Sequence, residues 1–286
     1  MTGWNGFSEA CAAIDFVPLL HDNDSKTIFG QTGNWNYDDI HNILFEQREN
    51  EIAQHICTKI YRHFVSPDIS ENIINEMVAT FKLNNFELAP VFRQLFKSEH
   101  FFDDAIMNVK MKSPIDATIN GMVESEFPYQ DFYSADLGYN ELLIQIYFAT
   151  GELGQQLFNP IDVSGWDENR AWINSSTLTG RWQISDFILT VMYENYRYKY
   201  IEFAKQISGN SNDPDYITQQ IVDFYMPAGL QTPNDYDQAT VVFKTEIPEN
   251  YFQDGSWNLD WDEDVVAAQI ALLIRHISRI PEYQLS

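Results

Sequence analysis

The sequence predicts an all-α fold, mainly helical and irregular, on three observations. Apolar residues recur at steps of three and four over most of the chain. Asn, Ser or Asp stands where several of these runs open, and Pro or Asn where they stop. Only one short stretch, 239–243, reads as extended.

The helices follow in order. Asn36 is placed to cap a first helix with Ile40, Ile43 and Leu44 on one face. A second runs from about 49 to 64, where Ile52, Ile56, Ile60 and Phe64 recur every fourth residue and Pro67 stops the pattern. Ser70 opens a third, which carries Ile73, Ile74, Met77, Val78 and Phe81 and ends at Asn84 and Asn85. Pro90 suits the first turn of a short fourth, and Ser113-Pro114 starts a fifth. Residues 142–149 are strongly apolar and read as a buried helix. Ser175, Ser176 and Thr177 offer caps for a long helix reaching about 207, whose aromatic stripe reads as core-facing. Another helix is expected at 215–226. Asp262, Glu263 and Asp264 open a last one, with Arg275, His276 and Arg279 near its negative end. The Pro-, Asn-, Asp- and Gly-rich residues 229–257 interrupt this series. The chain therefore reads as a single helical domain over 1–286 with a loop-rich insertion at 208–257.

Composition narrows the function. The 286 residues are 44% hydrophobic and 15% aromatic, which is globular and not disordered. Forty-two acidic residues against 17 basic ones give a net charge of −25. Such an acidic surface argues against nucleic acid and anionic membranes, both of which need basic patches. No apolar run is long enough for a transmembrane segment. Two cysteines, Cys11 and Cys57, make no disulfide scaffold, and Cys57 sits in an apolar helical pattern as a small hydrophobe. Walker, dinucleotide, zincin and nucleophile-elbow motifs are missing, and no cofactor is indicated. The acidic run 254–262 imitates a calcium loop but lacks its glycine and its closing glutamate, and no metal site is assigned.

Two segments carry candidate chemistry. In the first, His21, Asp22 and Lys26 could act as general base or metal ligands with a neutralising cation. The same residues would also make an Asx turn closed by Lys26. In the second, 159–181, Trp166 and Trp172 offer stacking faces, Arg170 and Arg181 offer forks for an anion, and Asn174 offers a donor and an acceptor. Together they suit an anionic glycan. A loop pinned to the core by two Trp anchors, with Arg181 bonding carbonyls, would use the same residues.

Several of these pieces stand in a recognisable order: Thr2-Gly3-Trp4, then His21-Asp22-Asn23-Asp24-Ser25-Lys26-Thr27-Ile28-Phe29-Gly30, then Lys59-Ile60-Tyr61-Arg62-His63-Phe64-Val65. Lys112-Ser113-Pro114, Val163-Ser164-Gly165-Trp166 through Trp172-Ile173-Asn174 to Arg181, and Pro281-Glu282-Tyr283-Gln284 complete it. In this order and spacing they resemble the bacterial family called domain of unknown function 1800, in its C-terminal portion. The resemblance implies a helical fold, a longer exported protein whose N-terminal half is absent here, a periplasmic or extracellular location, and a sulfatase-like partner. It supplies no catalytic residues.

The expectation is thus a binding or accessory protein for extracellular polymer. Trp166, Arg170, Trp172, Asn174 and Arg181 would contact an anionic glycan, with His21, Asp22 and Lys26 beside them. The alternatives are a hydrolase using His21 and Asp22, and a helical scaffold that docks a partner protein.

Overall fold

The computed structural model describes residues 3–5 and 14–286. Thr2 and Cys11 lie outside them. The chain divides into two compact units, Met1–Phe102 and Asp103–Ser286. It is mainly helical, with twelve α-helices among the described residues and only two- or three-residue strands.

Among its described residues, unit 1 holds two short antiparallel pairs and four α-helices. Strand β1 (Trp4–Asn5) pairs with β2 (Asp15–Phe16), and β3 (Lys26–Ile28) with β4 (Gln31–Gly33). The β3–β4 hairpin turns at Phe29 and Gly30, both at positive φ, and Thr27 and Thr32 share a 2.8 Å side-chain hydrogen bond across it. Helix α1 (Tyr37–Gln47) starts as expected. Asn36 Oδ1 accepts from the Asp38 and Asp39 amides, and Asp39 accepts in return from the Asn36 amide. Helix α2 (Glu49–Phe64) has the expected limits and packs on both α1 and α3 (Glu71–Leu83). Helix α4 (Leu88–Phe96) lies against α3. Ala53, Cys57, Ile60, Tyr61, Ile74, Met77, Val91 and Leu95 form the buried interior. Cys57 is a free thiol in that interior, and burial pushes it up to about 11.

Unit 2 is built around its last helix. Helices α5 (Pro114–Glu124), α6 (Glu141–Glu152), α7 (Ser175–Tyr196), α8 (Tyr198–Ser208), α9 (Pro214–Tyr225), α10 (Pro233–Phe243), α11 (Glu249–Gln253) and α12 (Glu263–Ile277) follow one another. A two-residue ribbon, β5 (Tyr133–Ser134) with β6 (Tyr139–Asn140), precedes α6. Helix α12 touches α7, α8, α9 and α10, and its Val266, Ala267, Ile270, Leu273, Ile274 and Ile277 are buried in one continuous core. Trp257, on the loop before α12, is 1% exposed. Its indole donates to Gln269 Oε1 at 2.8 Å, and Gln269 Nε2 donates to the Phe243 carbonyl at 2.9 Å.

Five local expectations differ from what is found. The extended piece at 239–243 is the second half of α10, and 208–257 carries three helices rather than mainly loop. Pro233 at the first helical position and reciprocal bonds between Thr232 and Asp235 start α10, so its polar opening is a cap. The long helix expected to reach 207 breaks at Arg197, where an i+3 bond from Tyr200 replaces the regular ladder. The break lets α7 and α8 both pack on α12, and Arg197 pairs there with Asp264. Asn174, rather than a serine, caps α7. Helix α6 is buried on one side only. Leu142 and Thr150 are enclosed, whereas Leu143, Ile144 and Phe148 are exposed.

Candidate functional site

The 159–181 segment is tied down mostly by its own polar groups. Gly165 turns it at φ +106, a conformation that side chains other than glycine rarely adopt, and Asp162 accepts from the Ser164 amide at 2.7 Å. Trp166 is half-buried and its indole donates to the Gln156 carbonyl at 3.2 Å. Arg170 is exposed on the 3₁₀ turn Asn169–Trp172. Trp172 is 6% exposed. Its carbonyl accepts from Thr177 Oγ1 at 2.9 Å, beside Asn174, whose side chain accepts from the Ser176 and Thr177 amides. The loop tip exposes Phe158, Ile161 and Val163.

Arg181 leads from this loop into the interior. It is 4% exposed on α7, donates from Nη2 to the Lys112 carbonyl at 2.9 Å, and reaches Gln284 Oε1 at 3.4 Å. Its Nε has no partner. Burial lowers the guanidinium to about 10, and Asp116 draws it partly back. The preceding Gly180 lets Leu153 lie against α7, because a Cβ there would come within 2.6 Å of Leu153 Cδ2.

Three segments named in the sequence meet here: Lys112-Ser113-Pro114, the end of 163–181, and Pro281-Glu282-Tyr283-Gln284. The Lys112 amide donates to the Gln284 carbonyl at 2.8 Å, and Lys112 Nζ lies 4.1 Å from the Tyr283 ring centre. Tyr283 Oη donates to Glu124 Oε2 at 2.9 Å. Sequence reasoning quoted Lys112, Tyr283 and Gln284 but not Glu124, which stands alone at the end of α5 with no motif around it.

Glu124 opens onto a cleft. Ser125, Glu126, Met192, Lys199, Tyr200, Glu202, Phe203, Gln206, Tyr225 and Ile274 complete its lining, around a volume of about 80 Å³. The Glu124 carboxyl is raised above its ordinary value by burial, against the pull of Lys112 and the Tyr283 hydrogen bond. Its place at a helix C-terminus, where carbonyls converge, acts in the same direction as burial. Lys199 is held by Glu126, donating to its carbonyl at 3.2 Å with a carboxylate oxygen at 3.8 Å. The Tyr200 hydroxyl is spent on the Leu189 carbonyl at 3.1 Å. Tyr225 is 5% exposed and lines the cleft, and its hydroxyl makes no hydrogen bond to a described residue. Burial pushes that hydroxyl well above its ordinary value, with Tyr283, Glu124 and Tyr200 close enough to add to the shift.

The Glu124 shift has a testable sign. A folded value above the unfolded one stabilises unit 2 fully below the usual carboxylate range, near 4.3, and the benefit is lost as pH rises through the folded value. Glu124→Gln is therefore expected to flatten the fall in stability from pH 4 to 8. Denaturant unfolding followed by tryptophan fluorescence reads this, since Trp166, Trp172, Trp182, Trp257 and Trp261 lie in unit 2. An unchanged slope would remove Glu124 as its source.

The other predicted segment lies in unit 1. Asp22 Oδ1 accepts from the Asp24 amide at 2.8 Å, and Lys26 Nζ donates to the Asp22 and Asp24 carbonyls, which is the geometry of an Asx turn closed by a cation. The His21 ring stands edge-on to Phe16, with centroids 5.4 Å apart. Among the described residues no three His, Cys, Asp or Glu side chains converge as a metal site. In the run 254–262, Asp254 and Asn258 bond backbone amides, Asp260 pairs with Lys205, and Asp262 caps α12. No helix among the described residues is long and apolar enough to cross a membrane.

A family model described as "Protein of unknown function (DUF1800)" matches residues 1–285. No curated protein and no solved structure matches the chain.

Proposed function

The chain belongs to the DUF1800 family over essentially its whole length, and from that premise we propose that it is a binding protein for a hydroxyl-rich ligand such as a glycan, taken up in the Glu124 cleft of unit 2. This keeps the accessory role in handling extracellular polymer, with the export and the sulfatase-like partner that the family resemblance implies, and moves the contact from the 159–181 loop to the cleft. In that loop Asn174 is engaged in capping, Trp172 is buried, and Arg181 bonds Lys112. Only Trp166 and Arg170 remain as outward-facing groups for an anionic glycan.

The observation that carries the reading is Tyr225, 5% exposed on the lining of a cleft that Glu124 also lines, with a hydroxyl that bonds no described residue. A ligand hydroxyl can pair with it, because a phenol can both donate and accept.

The test is a thermal unfolding scan with neutral, carboxylated and sulfated oligosaccharides. A ligand at about one hundred times its dissociation constant adds roughly 2.7 kcal/mol. A neutral sugar is expected to raise the melting temperature, and Tyr225→Phe to abolish most of the rise. That variant removes only an unpaired hydroxyl, so its own fold is expected to be at least as stable. No shift with any sugar, or an equal shift in Tyr225→Phe, overturns the reading.

A hydrolytic reading has one observation in its favour, a raised carboxyl at a cleft. It would make Glu124 the acid, in place of a base at His21 or Asp22. The exposed Phe158, Ile161 and Val163 favour the scaffold reading to the same limited degree.

A further inference from the structure

The cleft also has a sign of charge. Three carboxylates line it, Glu124, Glu126 and Glu202, against one cation, Lys199. Lys199 is already taken by Glu126, through both its carbonyl and its carboxylate. That leaves Glu202 without a cation among the lining residues, while Glu124 has Lys112 acting on it from outside the lining. The rings of Tyr200, Phe203 and Tyr225 stand among them, and Phe203 and Tyr225 are edge-to-face at 6.0 Å between centroids. Ring faces and carboxylates both attract a cation. The net charge of −25 draws cations toward the surface in general, so only the lining can make the cleft selective.

Carboxylates alone would not define a site. The second observation is Tyr225, more than nine-tenths buried, with a hydroxyl that no described residue satisfies on the same lining. Its oxygen can accept from an N–H while its hydrogen serves a neighbouring hydroxyl.

We propose that the cleft selects a ligand that carries a primary ammonium group on a polyhydroxyl frame, as an amino sugar does, with the ammonium on the Glu124 side and the hydroxyls at Tyr225. This rests on the cleft being the binding site, as proposed above. Acetylating the amine removes the charge and leaves the frame, so it isolates the ammonium contribution.

Titration calorimetry on the full chain with the glucosamine disaccharide, its di-N-acetylated form and cellobiose tests this. The amine disaccharide is expected to bind with one-to-one stoichiometry and at least tenfold more tightly than the other two, with affinity falling as salt rises. Glu124→Gln should bring the three affinities within about twofold of one another. Glu202→Gln gives a second, surface-exposed handle should the first variant fold poorly. Asp237→Asn, on α10 and absent from the cleft lining, should leave the preference intact. Equal binding of the amine and acetylated disaccharides overturns the charge inference and leaves the cleft reading standing. A preference that Asp237→Asn weakens as much as Glu124→Gln does marks general attraction to an acidic surface and overturns it too. Binding of none of the three defeats both.

Discussion

Trp257→Ala is expected to destabilise unit 2 by about 4 kcal/mol, the largest single effect in the molecule. The ring is 1% exposed and packs on Phe243 and Phe252, with centroids 5.6 and 5.1 Å away. Truncation removes that contact, leaves a void between α10, α11 and α12, and strips Gln269 Oε1 of its donor. Gln269 is 2% exposed, so its oxygen would find no water. Trp257→Phe separates the two contributions. It keeps most of the apolar bulk and loses only the indole N–H, which should cost about 1–2 kcal/mol. Denaturant midpoints of the unit 2 transition measure both, and equal losses in the two variants would show that packing is not the main contribution.

Arg181→Ala should cost about 3 kcal/mol, the range for breaking a buried polar network by removing one member. Two effects oppose each other here. Burying the guanidinium disfavours its charge enough to lower it to about 10, yet it stays protonated near neutral pH. Its 2.9 Å bond to the Lys112 carbonyl is charge-assisted and joins the start of α5 to α7, while the 3.4 Å contact with Gln284 adds less. Arg181→Met distinguishes them, because it keeps the aliphatic stem and removes the buried charge. It is expected to lose less than half as much as Arg181→Ala. An Arg181→Met protein more stable than the parent would mean that the guanidinium is retained at a net cost to stability. An Arg181→Ala loss below about 1 kcal/mol would mean that the network adds little.

The sequence was most legible where local rules decide. Helix α2 shows its limits through a four-residue apolar step, and α5 through Ser113 and Pro114 at its start. Helix α10 was hidden because Thr232-Pro233-Asn234-Asp235 reads as a loop until the reciprocal cap is recognised. The β3–β4 hairpin is too short for alternation to register. The boundary near Phe102 has no mark in composition. For the site, Arg181 and Trp172 were found by residue type, but their burial depends on neighbours distant in sequence. Glu124 and Tyr225 could not be found at all. One ends a helix without a motif and the other lies within an apolar run, and only packing makes a cleft between them.

The pairing of residues 110–112 with 284–286 also sets an order in time. Ser286 and Lys110 exchange backbone bonds, and Tyr283 reaches Glu124 across 159 positions. Loop-closure entropy must be met before such contacts stabilise anything. In unit 1 each helix packs on the one beside it in sequence, α1 on α2, α2 on α3, α3 on α4. During synthesis unit 1 can therefore become protease-resistant while the rest of the chain is still being made. Unit 2 can pair neighbouring helices early, but its core closes only once α12, which contacts α7, α8, α9 and α10, and the residues beyond 280 have left the ribosome.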